Sequence, residues 1–254
     1  MGFLIKFGYD GSYFTGFQSG NGENSVEDSI MKTLRSIGIT GKIRSAARTD
    51  RGVSSSGNVF MIQAEIDPKK ILKILNAKCR NMVFYAYAHV ENGFNPRHCK
   101  SKSYTYFIPG NWLFLRQAFL KFEGEHDFSG FCRKDSRSSY RRIKKISLIY
   151  RYGYTEVKFN AQSFVWEQIR SIVGYCMANS DAVNPTDPFS EKIGRRIVAP
   201  PQPLILNDIQ YKGIKFIDEP VGKNVAYLRG LSIDLRTRSM ILDRIIHTAK
   251  ITQH

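Results

Sequence analysis

The sequence predicts an α+β fold made of two halves of similar plan, which divide near residue 100. Segments with strand-like alternation and segments with helical periodicity follow one another, and after a polar, basic stretch over residues 91–103 the pattern roughly begins again. The chain has 254 residues, of which 42% are hydrophobic, so it is long enough for one large domain or two ordinary ones. We therefore expect an N-terminal half over residues 1–100 and a C-terminal half over residues 101–254.

The first half is predicted to open with a strand and a helix. Residues 2–9 read as a strand and lead into a turn at Asp10-Gly11. Ser25 followed by Asp28 is a capping-box-like start for a helix with one apolar face. The residues at helical spacing on that face are Val26, Ile30, Leu34 and Ile37.

The remainder of the first half continues the alternation of strands and helices. Residues 57–66 are predicted to form a second strand. Asp67-Pro68 suits the N-cap and first turn of a second helix, because the N–H that Pro lacks has no partner in the first turn of a helix. In residues 82–90, apolar and other side chains alternate well enough to predict a third strand. The predicted order is therefore strand, helix, strand, helix, strand.

The second half has a similar plan. Its predicted elements are a strand over 103–108, a helix over 112–122, strands over 143–150 and 155–159, a helix over 164–178, a strand over 204–211 and an amphipathic helix over 233–249. Residues 180–202 contain four prolines and are predicted to be loop-rich. We expect two RRM-like, or ferredoxin-like, halves whose mixed, mainly antiparallel sheets meet at a central cleft.

The charge balance of the chain indicates a polyanionic partner. Lys and Arg number 38 against 22 Asp and Glu, which gives a formal net charge of +16 and a pI near 9.7. A positive field of this size attracts nucleic acid, and the 13 Tyr and 17 Phe offer stacking surfaces for unpaired bases. The alternative is that the basic charge serves solubility alone.

The four cysteines do not predict a metal site or a disulfide framework. Cys79, Cys99, Cys132 and Cys176 are scattered, with no Cys-x-x-Cys pair and no His at ligand spacing. We expect no metal and no cofactor. No apolar run approaches the length of a membrane span and no signal peptide opens the chain, so a cytoplasmic protein is expected.

One acidic residue stands between two arginines, in the segment Arg48-Thr49-Asp50-Arg51. It falls between the first predicted helix and the second predicted strand, so we expect a loop, where catalytic groups concentrate. The flanking arginines predict a lowered pKa and an ionised carboxylate that is able to act as nucleophile or base. The alternative is a plain turn, with Asp50 and Gly52 present for backbone reasons.

The segment Ser45-Ala46-Ala47-Arg48-Thr49-Asp50-Arg51-Gly52-Val53 resembles the catalytic motif of the TruA family of tRNA pseudouridine synthases. Other blocks resemble the family in the same order, namely residues 9–18, 25–28, 94–97 with 102–106, 124–131, 164–174 and 199–201. The departures, among them Ala47 where Gly is common and Trp166 where a His-rich stretch is common, are more similar to the archaeal side of the family. The resemblance spans about residues 3 to 211 of the chain.

The resemblance implies roles for four residues. Asp50 is implied to be the catalytic carboxylate, and Arg48 to help hold the target nucleotide. Tyr104 is implied to stack on the flipped base and take part in proton transfer, and Arg170 to pair with Asp50 from the other half. The alternatives are an aromatic core residue for Tyr104 and a solvated helix charge for Arg170.

The resemblance also implies a reaction and partners. The expected enzyme is an isomerase that converts uridine to pseudouridine at positions 38, 39 and 40 of tRNA, without a cofactor, as a homodimer. A dense basic run is predicted to contact the RNA backbone, through Arg133, Lys134, Arg141, Arg142, Lys144 and Lys145. Two alternatives stay open: a pseudouridine synthase that acts on another RNA or on other tRNA positions, and a non-catalytic RNA-binding protein with two RRM-like halves.

Overall fold

The computed structural model describes residues 1–20, 24–133, 136–180, 187–190, 196–221 and 223–251. These residues contain ten strands: β1 (Gly2–Tyr9), β2 (Arg44–Ser45), β3 (Ser54–Gln63), β4 (Met82–Val90), β5 (Ser101–Pro109), β6 (Gly124–Asp127), β7 (Tyr140–Arg151), β8 (Tyr154–Ala161), β9 (Leu204–Gln210) and β10 (Ile217–Asp218). They also contain five α-helices: α1 (Val26–Arg35), α2 (Pro68–Lys78), α3 (Arg116–Leu120), α4 (Gln168–Ala178) and α5 (Lys223–Ile251).

All ten strands belong to one sheet. Their order is β10, β4, β1, β3, β9, β5, β8, β7, β6, with β2 beside β3. The paired strands are antiparallel except β3 and β9, which are parallel where Ser54 and Ser55 lie opposite Ile205 and Leu206. The predicted α+β class with a mixed, mainly antiparallel sheet is therefore confirmed.

Strand β9 joins the strands of the two halves. It comes from the C-terminal part of the chain and lies between β3 and β5, with hydrogen bonds to both. Backbone groups that would otherwise lie at open sheet edges are thereby paired, over Ser101–Tyr106 of β5 and at Ser54 and Ser55 of β3. The strands thus form one continuous sheet across the middle of the molecule.

Helices α1 and α2 pack with the strands of the first half in one apolar cluster. Phe7 stacks on Phe84 with 5.3 Å between ring centroids, and both rings are fully buried together with Phe60. The predicted starts of α1 and α2 are confirmed. Ser25 accepts a hydrogen bond from the Asp28 N–H, and Asp67 caps α2 by accepting one from the Lys69 N–H.

A second, larger cluster contains the core of α3, α4 and the strands they cover. Phe119, Phe159 and Ile172 are buried in it, and so are Leu4 and Met61 from the first half. Apolar contacts therefore cross residue 100 as the sheet does. The division into 1–100 and 101–254 stays a prediction about domain organisation.

Two helices of the second half are shorter than predicted. The segment predicted as a helix over 112–122 begins with a 3-10 turn at Leu113–Leu115, which α3 follows. The helix ends at Leu120 because the chain soon turns into β6 at Gly124, where φ is +100°. The helix predicted from residue 164 begins only at Gln168. The residue before it, Glu167, has a left-handed φ of 63°, which a continuing right-handed helix excludes.

Other boundaries differ less. Strand β3 begins and ends three residues earlier than the predicted 57–66, since Ser55 pairs with Tyr9 at the end of β1. The short strands β2, β6 and β10 were not predicted. Part of the predicted loop over 180–202 lies outside the described residues. Helix α5 begins at Lys223, ten residues before the predicted start at residue 233.

Candidate active site

The loop between β2 and β3 carries Asp50 and is fixed to the sheet at several points. The Ala46 N–H donates to the Val59 carbonyl at 2.8 Å, and the buried Asn58 side chain donates to the Ala47 carbonyl at 3.0 Å. Asn58 is fully buried, so it holds the loop from inside the fold. Asp50 is therefore presented by a rigid support, as a catalytic group requires.

Thr49 fixes the loop one residue before Asp50. Its hydroxyl lies 2.8 Å from the hydroxyl of Tyr9, and its carbonyl accepts the Phe17 N–H at 3.1 Å. Burial raises the pKa of Tyr9 to about 12, so this hydroxyl stays protonated. The block at 9–18 thus supports the Asp50 loop directly.

Gly11 allows the first block to approach the loop. A Cβ at Gly11 would lie 2.3 Å from the Val53 carbonyl oxygen, inside any real contact distance. The Gly11 N–H donates to the Ser54 hydroxyl at 3.0 Å. Only glycine permits this contact between the turn after β1 and the chain that enters β3.

Arg170, on α4, contacts Asp50 across 120 residues of sequence. Its Nη1 lies 3.0 Å from Asp50 Oδ2, and its Nε donates to the Ala199 carbonyl at 2.8 Å. The hydrogen bond to Ala199 requires residues 197–199 to lie close to α4. Gly174 permits this approach, because a Cβ there would lie 2.5 Å from the Ile197 carbonyl oxygen. Helix α4 and the segment around Ala199 therefore hold the guanidinium together.

Two further charged residues extend this ion pair. Glu167 Oε1 lies 3.6 Å from Arg170 Nη1, and Glu167 Oε2 lies 2.8 Å from Arg196 Nη2. Neither Glu167 nor Arg196 was predicted from the sequence to have a role. The spacing of Glu167 three residues before Arg170 was a signal for the first contact, since such residues are neighbours at a helix. For Arg196 the sequence carried no such signal.

The predicted direction of the pKa shift at Asp50 is wrong. Burial raises the pKa of Asp50, and this effect outweighs the hydrogen bond and positive charge of Arg170, which lower it. The nearby Glu167 carboxylate adds to the increase. Arg48 and Arg51, the neighbours in sequence, are not among the groups that shift the pKa of Asp50. The carboxylate interacts with Arg170 on α4 instead.

Tyr104, on β5, is buried near Asp50. Its ring meets the edge of Phe164 with 5.2 Å between centroids. Burial raises its pKa well above the ordinary value, and the charges of Tyr9 and Asp50 contribute in the same direction. Within the described part of the chain its hydroxyl has no hydrogen-bond partner. A neutral phenol thus lies within the electrostatic influence of the Asp50 carboxylate.

Arg48 and Trp166 lie at the outer side of this site. The Arg48 side chain is exposed, and Trp166, which is 40% exposed, lies next to Asp50 and lowers its pKa through a hydrogen bond. The guanidinium carbon of Arg133 lies 4.3 Å from the Trp166 ring centroid. In the sequence, Trp166 stands out only as a departure from the family pattern.

The basic residues predicted to contact RNA, over 133–145, differ in their exposure. Lys134 lies outside the described residues. Arg142, Lys144 and Lys145 are exposed on β7, and Lys144 donates to the Lys100 carbonyl at 3.0 Å. Arg141 is half-buried and donates to carbonyl groups of its own turn. Contact of this run with RNA stays a prediction.

Among the described residues, no group of three or more His, Cys, Asp or Glu side chains is placed to hold a metal ion. In the same ranges no helix has both the length and the apolarity of a membrane span. What the site does contain is a half-buried carboxylate, an arginine that holds it, a buried phenol and exposed cations. Such a set is able to bind a polyanion and to supply a nucleophile or base to it.

Comparison with known proteins agrees with this chemistry. Residues 118–212 match the family model described as tRNA pseudouridine synthase. The chain is 45% identical over 218 residues to tRNA pseudouridine synthase A of Picrophilus torridus, with 85% of each chain covered. It is 42% identical to that of Thermoplasma acidophilum, over 84% of this chain and 85% of the relative, and 33% identical to that of Pyrococcus furiosus, over 85% and 86%. The chain therefore belongs to the TruA family of tRNA pseudouridine synthases, on its archaeal side.

Proposed function

We propose that this protein converts uridine to pseudouridine in tRNA, with Asp50 as the catalytic carboxylate. The observation that carries the proposal is the half-buried Asp50, which lies 3.0 Å from Arg170 and whose charge acts on the buried Tyr104. Membership of the family supports the reaction, and the net charge of +16 supports an RNA substrate.

The reaction needs a nucleophile or base and a surface for the turned base, and in this proposal Asp50 and Tyr104 supply them. The bond from N1 of uracil to C1′ of ribose breaks, the base turns, and a bond from C5 to C1′ forms, while C5 loses a proton and N1 gains one. No electron or group enters or leaves. The carboxylate of Asp50 supplies the nucleophile or base, and the ring of Tyr104 supplies a stacking surface for the turned base.

Positive charge beside the Asp50 loop favours phosphate binding. Burial lowers the pKa of Arg97, and the charges of Arg48 and Arg137 lower it further. Lys102, whose Nζ donates to the Ala46 carbonyl at 2.7 Å, is affected in the same way by Arg97 and Arg137. Mutual repulsion among these cations is relieved when phosphate groups lie between them, and such contacts help offset the few kcal/mol that base flipping costs.

We further propose that the target uridines are at positions 38, 39 and 40 in the anticodon stem-loop, and that the enzyme acts as a homodimer in the cytoplasm. The target positions and the homodimer are what the resemblance to the family over residues 3 to 211 implies, and the cytoplasm is the location expected of a tRNA-modifying enzyme. A stem-loop offers both a duplex for phosphate contacts and unpaired bases for stacking.

Mapping of pseudouridine on tRNA tests the function. Total tRNA that lacks the modification is incubated with the purified protein, and modified positions are read by chemical labelling and sequencing. We expect new pseudouridine at 38, 39 or 40 and none with Asp50→Asn protein. Modification at other positions would correct the target site, and modification of ribosomal RNA alone would replace the substrate. No modification of any RNA would contradict the proposed activity.

The basic run gives a prediction for RNA binding. Arg142→Ala/Lys145→Ala removes two exposed cations from β7, so the slope of log affinity against log salt should become shallower by about one to two units. Filter binding between low and moderate salt measures it. Lys32→Ala/Arg35→Ala, on exposed positions of α1, is the matched control and should leave the slope unchanged. Equal slopes for both double variants would show that this strand does not contact RNA.

A further inference from the structure

Four charged side chains at the start of α4 contact one another in turn and form what we call the ion-pair series. Arg170 Nη1 lies 3.0 Å from Asp50 Oδ2 and 3.6 Å from Glu167 Oε1. The second oxygen of Glu167, Oε2, lies 2.8 Å from Arg196 Nη2. The charges alternate in sign along the series, from the negative Asp50 at one end to the positive Arg196 at the other. One guanidinium is therefore shared by two carboxylates, and the second guanidinium contacts the carboxylate that lies outside the catalytic loop.

Partial burial makes the balance of charge in this series important. The exposed fractions of the side chains are 13% for Arg170, 17% for Glu167 and 27% for Arg196, so water screens these charges only in part. A carboxylate that loses its partner at such a site attracts the nearest remaining cation. For Glu167 without Arg196, that cation is Arg170, which already lies 3.6 Å away.

The pair of Glu167 and Arg196 has supports of its own. Arg196 Nη1 donates to the hydroxyl of Ser171 at 3.0 Å, and Ser171 is buried on α4. Glu167 has a φ of 63°, and its carbonyl accepts the Ser171 N–H at 2.9 Å. Residues other than glycine seldom adopt this backbone conformation, so the surrounding contacts must fix it. The two side chains are therefore held against α4 independently of the Asp50 loop.

We infer that Arg196 is a positioning residue for the reaction, because it pairs with Glu167 and so leaves Arg170 to the catalytic loop. Without Arg196, Glu167 would draw the Arg170 guanidinium toward itself, and Asp50 would lose the contact that orients its carboxylate. Glu167 would then also act on Asp50 with a negative charge that no neighbouring cation offsets. The inference rests on the proposed function, in which Asp50 is the catalytic carboxylate.

The charges give this inference a direction that a purely structural role for Arg196 lacks. The Glu167 carboxylate raises the pKa of Asp50, so Glu167→Gln should lower that pKa and Arg196→Met should raise it. Activity needs the ionised Asp50 and is lost as pH falls through this pKa. The acid limb should therefore move to lower pH in Glu167→Gln and to higher pH in Arg196→Met.

The other titratable and charged groups around Asp50 keep their charge in these variants. Tyr104 and Tyr106, on β5, interact with the charges of the series, and burial raises the pKa of both, so both stay neutral. Arg48 and Arg51 are exposed and are not among the groups that shift the pKa of Asp50. A shift in either variant therefore reports the balance between Glu167 and Arg196.

NMR titration of the Asp50 carboxyl carbon tests the inference without using activity. The full chain is labelled at the aspartate carboxyl carbons, and the Asp50 signal is the one that disappears in Asp50→Asn. We expect its midpoint below that of wild type in Glu167→Gln and above it in Arg196→Met. The double variant should match Glu167→Gln, because Arg196 then has no charge to offset. An unmoved midpoint in Arg196→Met, or additive shifts in the double variant, would overturn the inference.

Single-turnover assays across pH connect the inference to the reaction. Arg196→Met should lower the maximal rate by up to about 10²-fold with little change in tRNA affinity, and adding Glu167→Gln should restore part of that rate. Arg196→Lys keeps the charge, and Ser171→Ala removes only a hydrogen bond to Arg196, so neither should move the acid limb. Circular dichroism confirms that each variant is folded.

The outcomes separate the inference from the proposed function. Equal losses of rate in Arg196→Met and Ser171→Ala, with unmoved acid limbs, would show that Arg196 only attaches its segment to α4. A wild-type protein that modified no RNA would contradict the proposed function, whereas the NMR midpoints would still decide whether Arg196 offsets the charge of Glu167 at Asp50.

Discussion

Asp50→Asn is expected to reduce turnover by roughly 10⁴-fold or more while leaving tRNA affinity within a few-fold of wild type. The substitution keeps the size of the side chain and its ability to accept a hydrogen bond from Arg170, 3.0 Å away. It removes the charge, the nucleophilicity and the basicity that the reaction needs. Affinity should persist because phosphate contacts and base stacking supply most of it.

Single-turnover assays and filter binding on one tRNA with uridine at 38, 39 or 40 measure the two quantities separately. Asp10→Asn is the matched control, since Asp10 is a turn carboxylate that accepts the Ser12 N–H at 3.0 Å. Asn also suits turns, so this variant should have nearly normal activity. If Asp50→Asn behaved as Asp10→Asn does, Asp50 would be a turn residue and the proposed mechanism would be wrong.

Arg170→Ala is expected to lower kcat/KM by about 10²- to 10³-fold and to move the acid limb of the pH profile upward. Burial already raises the pKa of Asp50, and Arg170 is the largest influence that lowers it. Without Arg170 the pKa rises further. Activity needs the ionised carboxylate, so it is present above this pKa and lost as pH falls through it. The loss therefore begins at a higher pH in the variant.

Arg170→Lys is the control that separates charge from position. Lysine keeps a positive charge near Asp50 but cannot also make the Nε bond to the Ala199 carbonyl. Its acid limb should lie close to that of wild type, although its maximal rate should be lower. An Arg170→Ala enzyme whose acid limb does not move would show that Arg170 has only a structural role.

Local signals in the sequence determined much of the fold. Ser25 and Asp67 marked the starts of α1 and α2, because a cap acts on N–H groups two or three residues away. Alternation predicted β1 and β4 with their observed bounds. Where the local pattern predicted an element boundary wrongly, contacts with residues distant in sequence set that boundary. The left-handed backbone at Glu167, whose side chain pairs with Arg196, starts α4 four residues later than its periodicity predicts.

The sequence by itself determined the α+β class, the family and the identity of Asp50 as the residue to test, because these depend on residue types at short spacing. Only the tertiary structure decided that β9 lies between β3 and β5, that Glu167 and Arg196 extend the ion pair of Arg170, and that burial raises the pKa of Asp50. The reason is physical. Strand pairing uses backbone groups that every residue shares, and burial depends on which distant segments cover a side chain, so neither is encoded by the neighbours of a residue in sequence.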